Sequence, residues 1–184
     1  MKFNKGFTIA EILVIIPIIA ILSSILILYN RSTEKQLILF KEQARLISTL
    51  NRAKGLALAF FREPSGEIAC SYGVRIFPDP DSSYIIFKDL PNDPSVGCSS
   101  ADNLYSGPNE NFDKMVEVDK KAIEIDSDPA ATTLINIGFL PPDPRVVLNG
   151  NPSLTADQKI TLKLKDSNVS RVVKVNKAGQ ITAE

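Results

Sequence analysis

The most restrictive feature of this sequence is an apolar block close to its N-terminus. Residues 7–29 form a run of twenty-three in which Glu11 is the only charged residue. A helix rises about 1.5 Å per residue, so this run is long enough to cross a hydrocarbon core of about 30 Å. Since such a block would leave a large apolar stripe in water, it predicts a helix embedded in a membrane.

The apolar block could also be a cleaved secretory signal peptide, with residues 1–5 as its basic region, or a plain signal anchor. The run is longer than the apolar region of about 7–15 residues that signal peptides use. Ser23 and Ser24 lie inside it, and no clean small-x-small site follows it. A signal peptide also has no use for an acid at position 11.

Glu11 is the residue of the block that needs a physical explanation. An ionisable side chain within a membrane segment is costly and therefore indicates a function. None of its neighbours on the helix offers a cation. A cut between Gly6 and Phe7 would create an α-amino group four residues before Glu11. That amine and the carboxylate could neutralise each other, within one chain or between neighbouring chains.

The motif Lys5-Gly6-Phe7-Thr8-Ile9-Ala10-Glu11, followed by an apolar helix, resembles the type IV prepilin signature. Type IV pilins, type II secretion pseudopilins and competence pseudopilins share this signature. The resemblance implies a leader of residues 1–6 that a membrane prepilin peptidase removes after Gly6, and N-methylation of Phe7. It also implies that Glu11 guides subunit assembly. Glycine before the cut suits a narrow protease site, because it has no side chain.

Pro17 lies inside the apolar helix. Proline removes one backbone hydrogen bond and clashes with the preceding turn, although neighbours in lipid can satisfy the freed carbonyl. The sequence predicts a helix kink at Pro17. A second interpretation is that the helix can melt there when the chain enters a filament.

The helix is expected to continue beyond the membrane as an amphipathic segment, residues 30–62, that ends near Phe61. Its apolar residues repeat every three or four positions, which is the helical period. They follow two adjacent lines, one through Leu37, Phe40, Ala44 and Ile47, the other through Leu39, Leu46, Leu50, Ala53 and Ala57. Pro64-Ser65-Gly66 provides the stop.

Residues 63–184 are predicted to form a β-rich globular head. The alternating or continuous apolar patterns predict strands over residues 68–77, 83–88, 132–139, 145–148, 158–165, 171–175 and 180–182. Residues 89–111 are polar and rich in Pro and Gly, and so predict a surface loop. The apolar pattern changes phase within residues 115–125, which predicts a bulge or a tight turn near Lys120 and Lys121.

The predicted fold class is therefore α+β, with the long N-terminal helix packed on an antiparallel sheet. The order of elements is similar to that of the H-type minor pseudopilins of type II secretion and of FimT-like minor pilins. The resembling segments are residues 43–58, Tyr72-Gly73-Val74-Arg75, Val172-Val173-Lys174-Val175 and Gly179-Gln180-Ile181. The resemblance implies a type IV pilin-like architecture.

The two cysteines, Cys70 and Cys98, could form a disulfide if the head lies outside the cytoplasm. The bond would pin the long loop to the first strand. The alternative is two independent buried thiols. The chain contains no His, which removes Ser-His-Asp and Cys-His catalysis and His-ligated zinc or haem.

The C-terminal region carries a set of basic residues that could contact DNA phosphates: Lys159, Lys163, Lys165, Arg171, Lys174 and Lys177. The alternative is an exposed sheet face or an edge that lysines guard against aggregation. The 21 basic and 21 acidic side chains of the whole chain balance, which disfavours a globally basic nucleic-acid binder. The Asp residues of the loops do not have the spacing of a compact calcium loop, so no metal and no cofactor are expected.

These features predict a structural subunit of a type IV pilus or a type II secretion pseudopilus, as a minor, tip or initiating component, and not an enzyme. The expected partners are the prepilin peptidase/methyltransferase, other pilin or pseudopilin subunits, an inner-membrane assembly platform and lipid. The expected location is the bacterial inner membrane, with the head outside the cytoplasm, and then the filament. The alternatives are a DNA-binding minor pilin of a competence pilus and a membrane-anchored enzyme.

Overall fold

The structure is a computed structural model that describes residues 8–59, 69–78, 80–128, 135–142, 145–152 and 157–184. The side chains of residues 26–32, 127 and 128 are not part of that description. The chain divides into two compact units, Met1–Ile38 and Leu39–Glu184, called the first and second unit below. Within the described residues the fold is α+β, with one long helix and antiparallel sheets.

Helix α1 runs from Ile9 to Leu58, through both units. Leu, Ala, Glu, Lys, Gln and Arg are frequent in it and have high helix propensity, and its many Ile residues are only slightly less favourable. It continues past Pro17, whose effect on its direction stays a prediction. The helix ends a few residues before the predicted end at Phe61, which lies outside the described residues.

Only one of the two apolar lines on the second half of α1 faces the core. Leu39, Leu46, Leu50, Ala53 and Ala57 are all buried. On the other line, 55% of Phe40 is exposed and Ala44 is also exposed. The broad apolar face predicted from the sequence is therefore narrower in the structure, because the sheets contact just one side of the helix.

Nine strands lie within the described residues: β1 Ser71–Phe77, β2 Ser83–Asp89, β3 Val116–Glu117, β4 Ile123–Asp128, β5 Ile135–Leu140, β6 Arg145–Leu148, β7 Gln158–Leu164, β8 Ser170–Val175 and β9 Ile181–Ala183. They form two antiparallel sheets. The first sheet has the order β3-β2-β1-β5-β6, and the second has the order β4-β7-β8-β9.

The single sheet predicted from the sequence is thus wrong, because the chain moves from one sheet to the other between β3 and β4. A tight turn makes this step: the N–H groups of Ala122 and Ile123 donate to the carbonyl of Asp119, at 2.9 and 2.8 Å. The turn confirms the tight-turn interpretation of the phase change near Lys120. The phase changes because the two strands belong to different sheets.

The segment that follows β2, predicted to be a surface loop, covers one face of the first sheet. All seven residues of β2 are buried, so both of its faces are covered. The Tyr105 ring packs edge-on against Phe87, with centroids 6.0 Å apart, and the Tyr105 carbonyl accepts a bond from the Arg75 guanidinium at 3.2 Å. The loop therefore shields this face of the sheet, while its own apolar side chains stay at least partly exposed, as expected of a surface loop.

Candidate functional site

The predicted processing site lies at the N-terminal end of the chain. Gly6 and Phe7, the proposed cleavage and methylation positions, fall within residues 1–7, outside the described residues. The description begins at Thr8, directly before α1. Thr8 and Glu11 are the residues of the prepilin-like motif with polar side chains among the described residues.

Thr8 and Glu11 bond to each other at the start of α1. The Glu11 Oε2 atom accepts the backbone N–H of Thr8 at 2.8 Å and the Thr8 hydroxyl at 3.0 Å. In return, the backbone N–H of Glu11 donates to Thr8 Oγ1 at 3.3 Å. This reciprocal arrangement is a capping box, which satisfies N–H groups that the first turn of a helix leaves free.

Sequence reasoning missed this local partner of Glu11, because it searched for a cation. The signal was nonetheless present, since Thr8-x-x-Glu11 ahead of an apolar run fits the capping-box pattern. Glu11 consequently has a structural role at the helix start as well as its predicted role in assembly. An experiment on assembly has to separate the two.

The first unit carries exposed apolar side chains on every side of its helix. Their exposed fractions range from 40% to 83%, and they are Ile9, Ile12, Leu13, Val14, Ile15, Ile16, Ile18, Ile19, Ile21, Leu22, Ile25 and Leu37. Scattered single apolar residues on a surface are ordinary, but a continuous set of this size marks an interaction surface. A helix that is apolar all round is normally covered by protein or lipid.

Within the part of the chain that the structure describes, we find no helix that is both long and apolar enough to span a bilayer. The membrane span predicted over residues 7–29 stays a prediction.

Cys70 and Cys98 are joined by a disulfide whose Cα atoms lie 5.2 Å apart. Cys70 directly precedes β1, and its backbone N–H donates to the Asp89 carbonyl at the end of β2, at 2.8 Å. Cys98 lies in a short 3-10 turn, Gly97–Ser100, within the loop that covers the first sheet. The bond therefore ties this loop to the start of β1.

The six basic residues predicted as DNA contacts do not form one free patch. Lys163 pairs with Glu124 at 3.2 Å and Lys174 with Asp157 at 2.8 Å, and this hydrogen bond raises the pKa of Lys174. The Arg171 guanidinium lies over the ring of Phe40 on α1, 5.7 Å from its centroid. Lys159 is exposed on β7, while Lys165 and Lys177 are exposed in turns.

The six basic residues thus lie in three kinds of place: on the outer face of the second sheet, in contact with α1, and in two turns. Acidic partners from β4 and from the residue before β7 take up part of the positive charge on the outer face. The DNA contact stays a prediction, and the structure offers no observation that favours it.

Comparison with known proteins finds no matching family model, no matching curated protein and no matching solved structure.

Proposed function

We propose that this chain is a structural subunit of a type IV pilus or a type II secretion pseudopilus, as a minor component. In this proposal a prepilin peptidase cuts after Gly6 and methylates the amine of Phe7. The N-terminal helix then carries the subunit from the membrane into the filament. Chemistry is performed on the chain, which is not itself an enzyme.

The observation that carries this proposal is the motif from Lys5 to Glu11 followed directly by the apolar block. Glycine before the cut, an aromatic residue after it and an acid four positions further on are all present at the N-terminal end. A signal peptide or a simple anchor requires none of these three features.

Three structural features support the proposal. The first unit is a helix whose apolar side chains are exposed. Such a surface is expected of a subunit that buries its helix in lipid or against other subunits. The second unit packs the helix on antiparallel sheets. The Cys70–Cys98 disulfide suits a region outside the cytoplasm, because reducing compartments disfavour such bonds.

The proposed partners follow from this route. They are the prepilin peptidase/methyltransferase, an inner-membrane assembly platform, lipid, and other subunits of the same filament. The proposed location is the inner membrane with the head outside the cytoplasm, followed by the filament.

Processing is the first test. In cells with an active prepilin peptidase, we expect the mature chain to begin at Phe7 with one added methyl group, as read by intact mass. Gly6→Leu should retain residues 1–6, because a bulky side chain would not fit beside the cut. Gly55→Leu is the matched control, since a Cβ at Gly55 meets no atom within 4 Å. Normal processing of Gly6→Leu would refute the proposal.

Assembly is the second test, and it uses Glu11 variants that separate charge from capping. Glu11→Gln keeps a side-chain acceptor at the capping position but removes the charge, whereas Glu11→Ala removes both. If the carboxylate pairs with the Phe7 amine of a neighbour, both variants should be cleaved but should assemble at least about tenfold less, because the amine loses its partner.

Filament yield after shearing, divided by the amount of processed subunit in membranes, is the measurement. Full assembly of Glu11→Gln together with poor assembly of Glu11→Ala would assign Glu11 to helix capping alone. Full assembly of both variants would remove any role for Glu11 in the filament.

A further inference from the structure

Asp89, the last residue of β2, is completely buried beneath the loop that covers the first sheet. It lies opposite Ser71 of β1 and shares that face. Its Oδ2 atom accepts the backbone N–H of Asn103 at 3.1 Å and lies 3.4 Å from the Ser71 hydroxyl. Its Oδ1 atom is also buried and has no hydrogen-bond partner among the described residues. A charged carboxylate in such a place is costly, because one oxygen has lost water without gaining a donor.

The charged groups that act on Asp89 are themselves acidic. They are Asp102, next to Asn103 in the loop, and Glu110, in the second 3-10 turn, Pro108–Glu110. Glu110 is only 6% exposed and accepts the N–H of Ser106 at 2.5 Å. The elements packed against Asp89 thus face it with a hydroxyl, an amide and two carboxyl groups.

Burial raises the pKa of Asp89 to about 7, and the negative charges of Asp102 and Glu110 add to the shift. The bonds from Asn103 and Ser71 act in the opposite direction. Burial likewise raises the pKa of Glu110. Over the described residues, no group of three or more acidic or cysteine side chains is arranged to hold a metal ion.

Two further attachments hold the loop. The Glu110 carboxyl accepts the backbone N–H of Leu90, directly after β2, whereas the contacts around Tyr105 use no carboxyl group. The Tyr105 N–H donates to Asn136 Oδ1 at 3.4 Å, and the Asn136 oxygen also accepts from Arg75 at 3.2 Å. The Tyr105 ring packs on Phe87, and its hydroxyl donates to Asn111 Oδ1 at 2.8 Å. The contact between the loop and Asp89 therefore changes in strength when the Asp89 carboxyl gains or loses its proton.

We propose that residues 101–111 form a pH-sensitive strap over the first sheet, which the protonated Asp89 carboxyl holds closed and which loosens when that carboxyl ionises. Opening the strap lets water reach Asp89 and uncovers the sheet face that carries Phe87 and Gly73. The proposal is independent of the filament function, because it concerns the second unit alone.

The direction of the pH effect follows from the raised pKa. In the open strap, Asp89 is expected to titrate near 3.9, the ordinary value for Asp. The closed strap thus holds an extra proton between about pH 4 and 7. The stabilisation of the closed strap by the protonated Asp89 carboxyl is complete below about pH 4. It decreases as the pH rises to about 7, and above that pH it no longer changes.

Hydrogen exchange of the full chain in detergent micelles, followed by mass spectrometry at pH 4 to 8, tests this inference. Protection factors are compared, because the chemical exchange rate itself changes with pH. For residues 101–106 of the strap we expect protection to fall by up to about tenfold per pH unit between pH 4 and 7, and to be constant from pH 7 to 8. Residues 159–164 in β7 serve as the internal reference and should change little.

Three variants make the test specific. Asp89→Asn keeps an oxygen acceptor for Asn103 but cannot ionise, so protection of residues 101–106 should depend on pH much less than in the wild type. The dependence that remains belongs to Glu110, whose pKa is also raised and which accepts the Ser106 N–H. Asp102→Asn and Glu110→Gln each remove one neighbouring negative charge. In these variants the total loss of protection should be smaller and should level off at a lower pH.

Equal pH profiles for the wild type and Asp89→Asn would overturn the inference. So would an equal loss of protection in β7, which would mean that the whole unit, and not the strap, responds to pH. If Asp89→Asn fails to fold, the neighbour variants decide: wild-type profiles in both Asp102→Asn and Glu110→Gln would overturn the proposal.

Discussion

Replacing Gly73 by alanine is expected to lower the free energy of unfolding by about 3 kcal/mol, at the upper end of the usual cost of overpacking a core. A Cβ at Gly73 would lie 2.6 Å from the Ile137 carbonyl oxygen and 2.6 Å from two atoms of the Phe87 ring. The carbonyl belongs to the paired strand β5 and cannot retreat without breaking the sheet. The Phe87 ring cannot move away from Gly73 freely, because Tyr105 of the covering loop packs against it.

Gly138→Ala is the matched control for Gly73→Ala. Gly138 lies directly opposite Gly73 on the neighbouring strand. There the nearest atom to an added Cβ is the Val147 carbonyl oxygen at 3.7 Å, which is ordinary contact. This variant should leave stability unchanged or raise it by up to ~1 kcal/mol, because alanine reduces the freedom of the unfolded chain.

The measurement is the thermal unfolding midpoint of the full chain in detergent, followed by circular dichroism. For Gly73→Ala we expect a fall of roughly 6–12 °C, since about 1 kcal/mol corresponds to roughly 2–4 °C for a chain of this size. Equal shifts for the two glycine variants would show that the close approach at Gly73 is not the cause.

Removing the disulfide is expected to cost about 3.5 kcal/mol, which is what the chain-entropy model gives for a loop of this length. The bond closes a segment in which the two cysteines are separated by 28 positions. Without it, the unfolded chain gains freedom, and the loop over the first sheet is held only by its noncovalent contacts. Cys70→Ala/Cys98→Ala is the variant, and denaturant unfolding is the measurement.

Chemical reduction of the wild-type chain is the control for the double cysteine variant, because it breaks the bond without changing a residue. The reduced wild type and the variant should unfold at similar denaturant concentrations, both well below the oxidised wild type. If reduction leaves the unfolding midpoint unchanged, the bond does not constrain the unfolded chain in the way proposed.

Local pattern identified most of the elements of the second unit. The bounds predicted for β6 agree with the structure, and those for β2 and β7 agree within one residue. In β7 the alternation works because one face is buried and the other is in water, so the sequence repeats every two residues. Strand β1 begins at Ser71, three residues later than predicted, and the predicted start at Ile68 lies outside the described residues.

The partners of these elements could not be read in the same way. Asp89 ends a strand with no local sign that Asn103 and Ser71 will close over it, because neither is near it in sequence. The choice of Leu46 over Ile47 as the buried position of α1 likewise depends on where the sheets lie. The sequence around Gly73 likewise does not show that the Phe87 ring lies against it and leaves no room for a side chain.

The sequence by itself determined the apolar helix, the prepilin-like motif and the approximate strand positions, because each depends on residues within a few positions of one another. Only the tertiary structure decided that there are two sheets, that the loop after β2 covers the first of them, and that Asp89 is buried among acidic neighbours. Those features depend on contacts between residues far apart in the chain. Each contact is weak alone, so none of them leaves a local pattern from which it could be predicted.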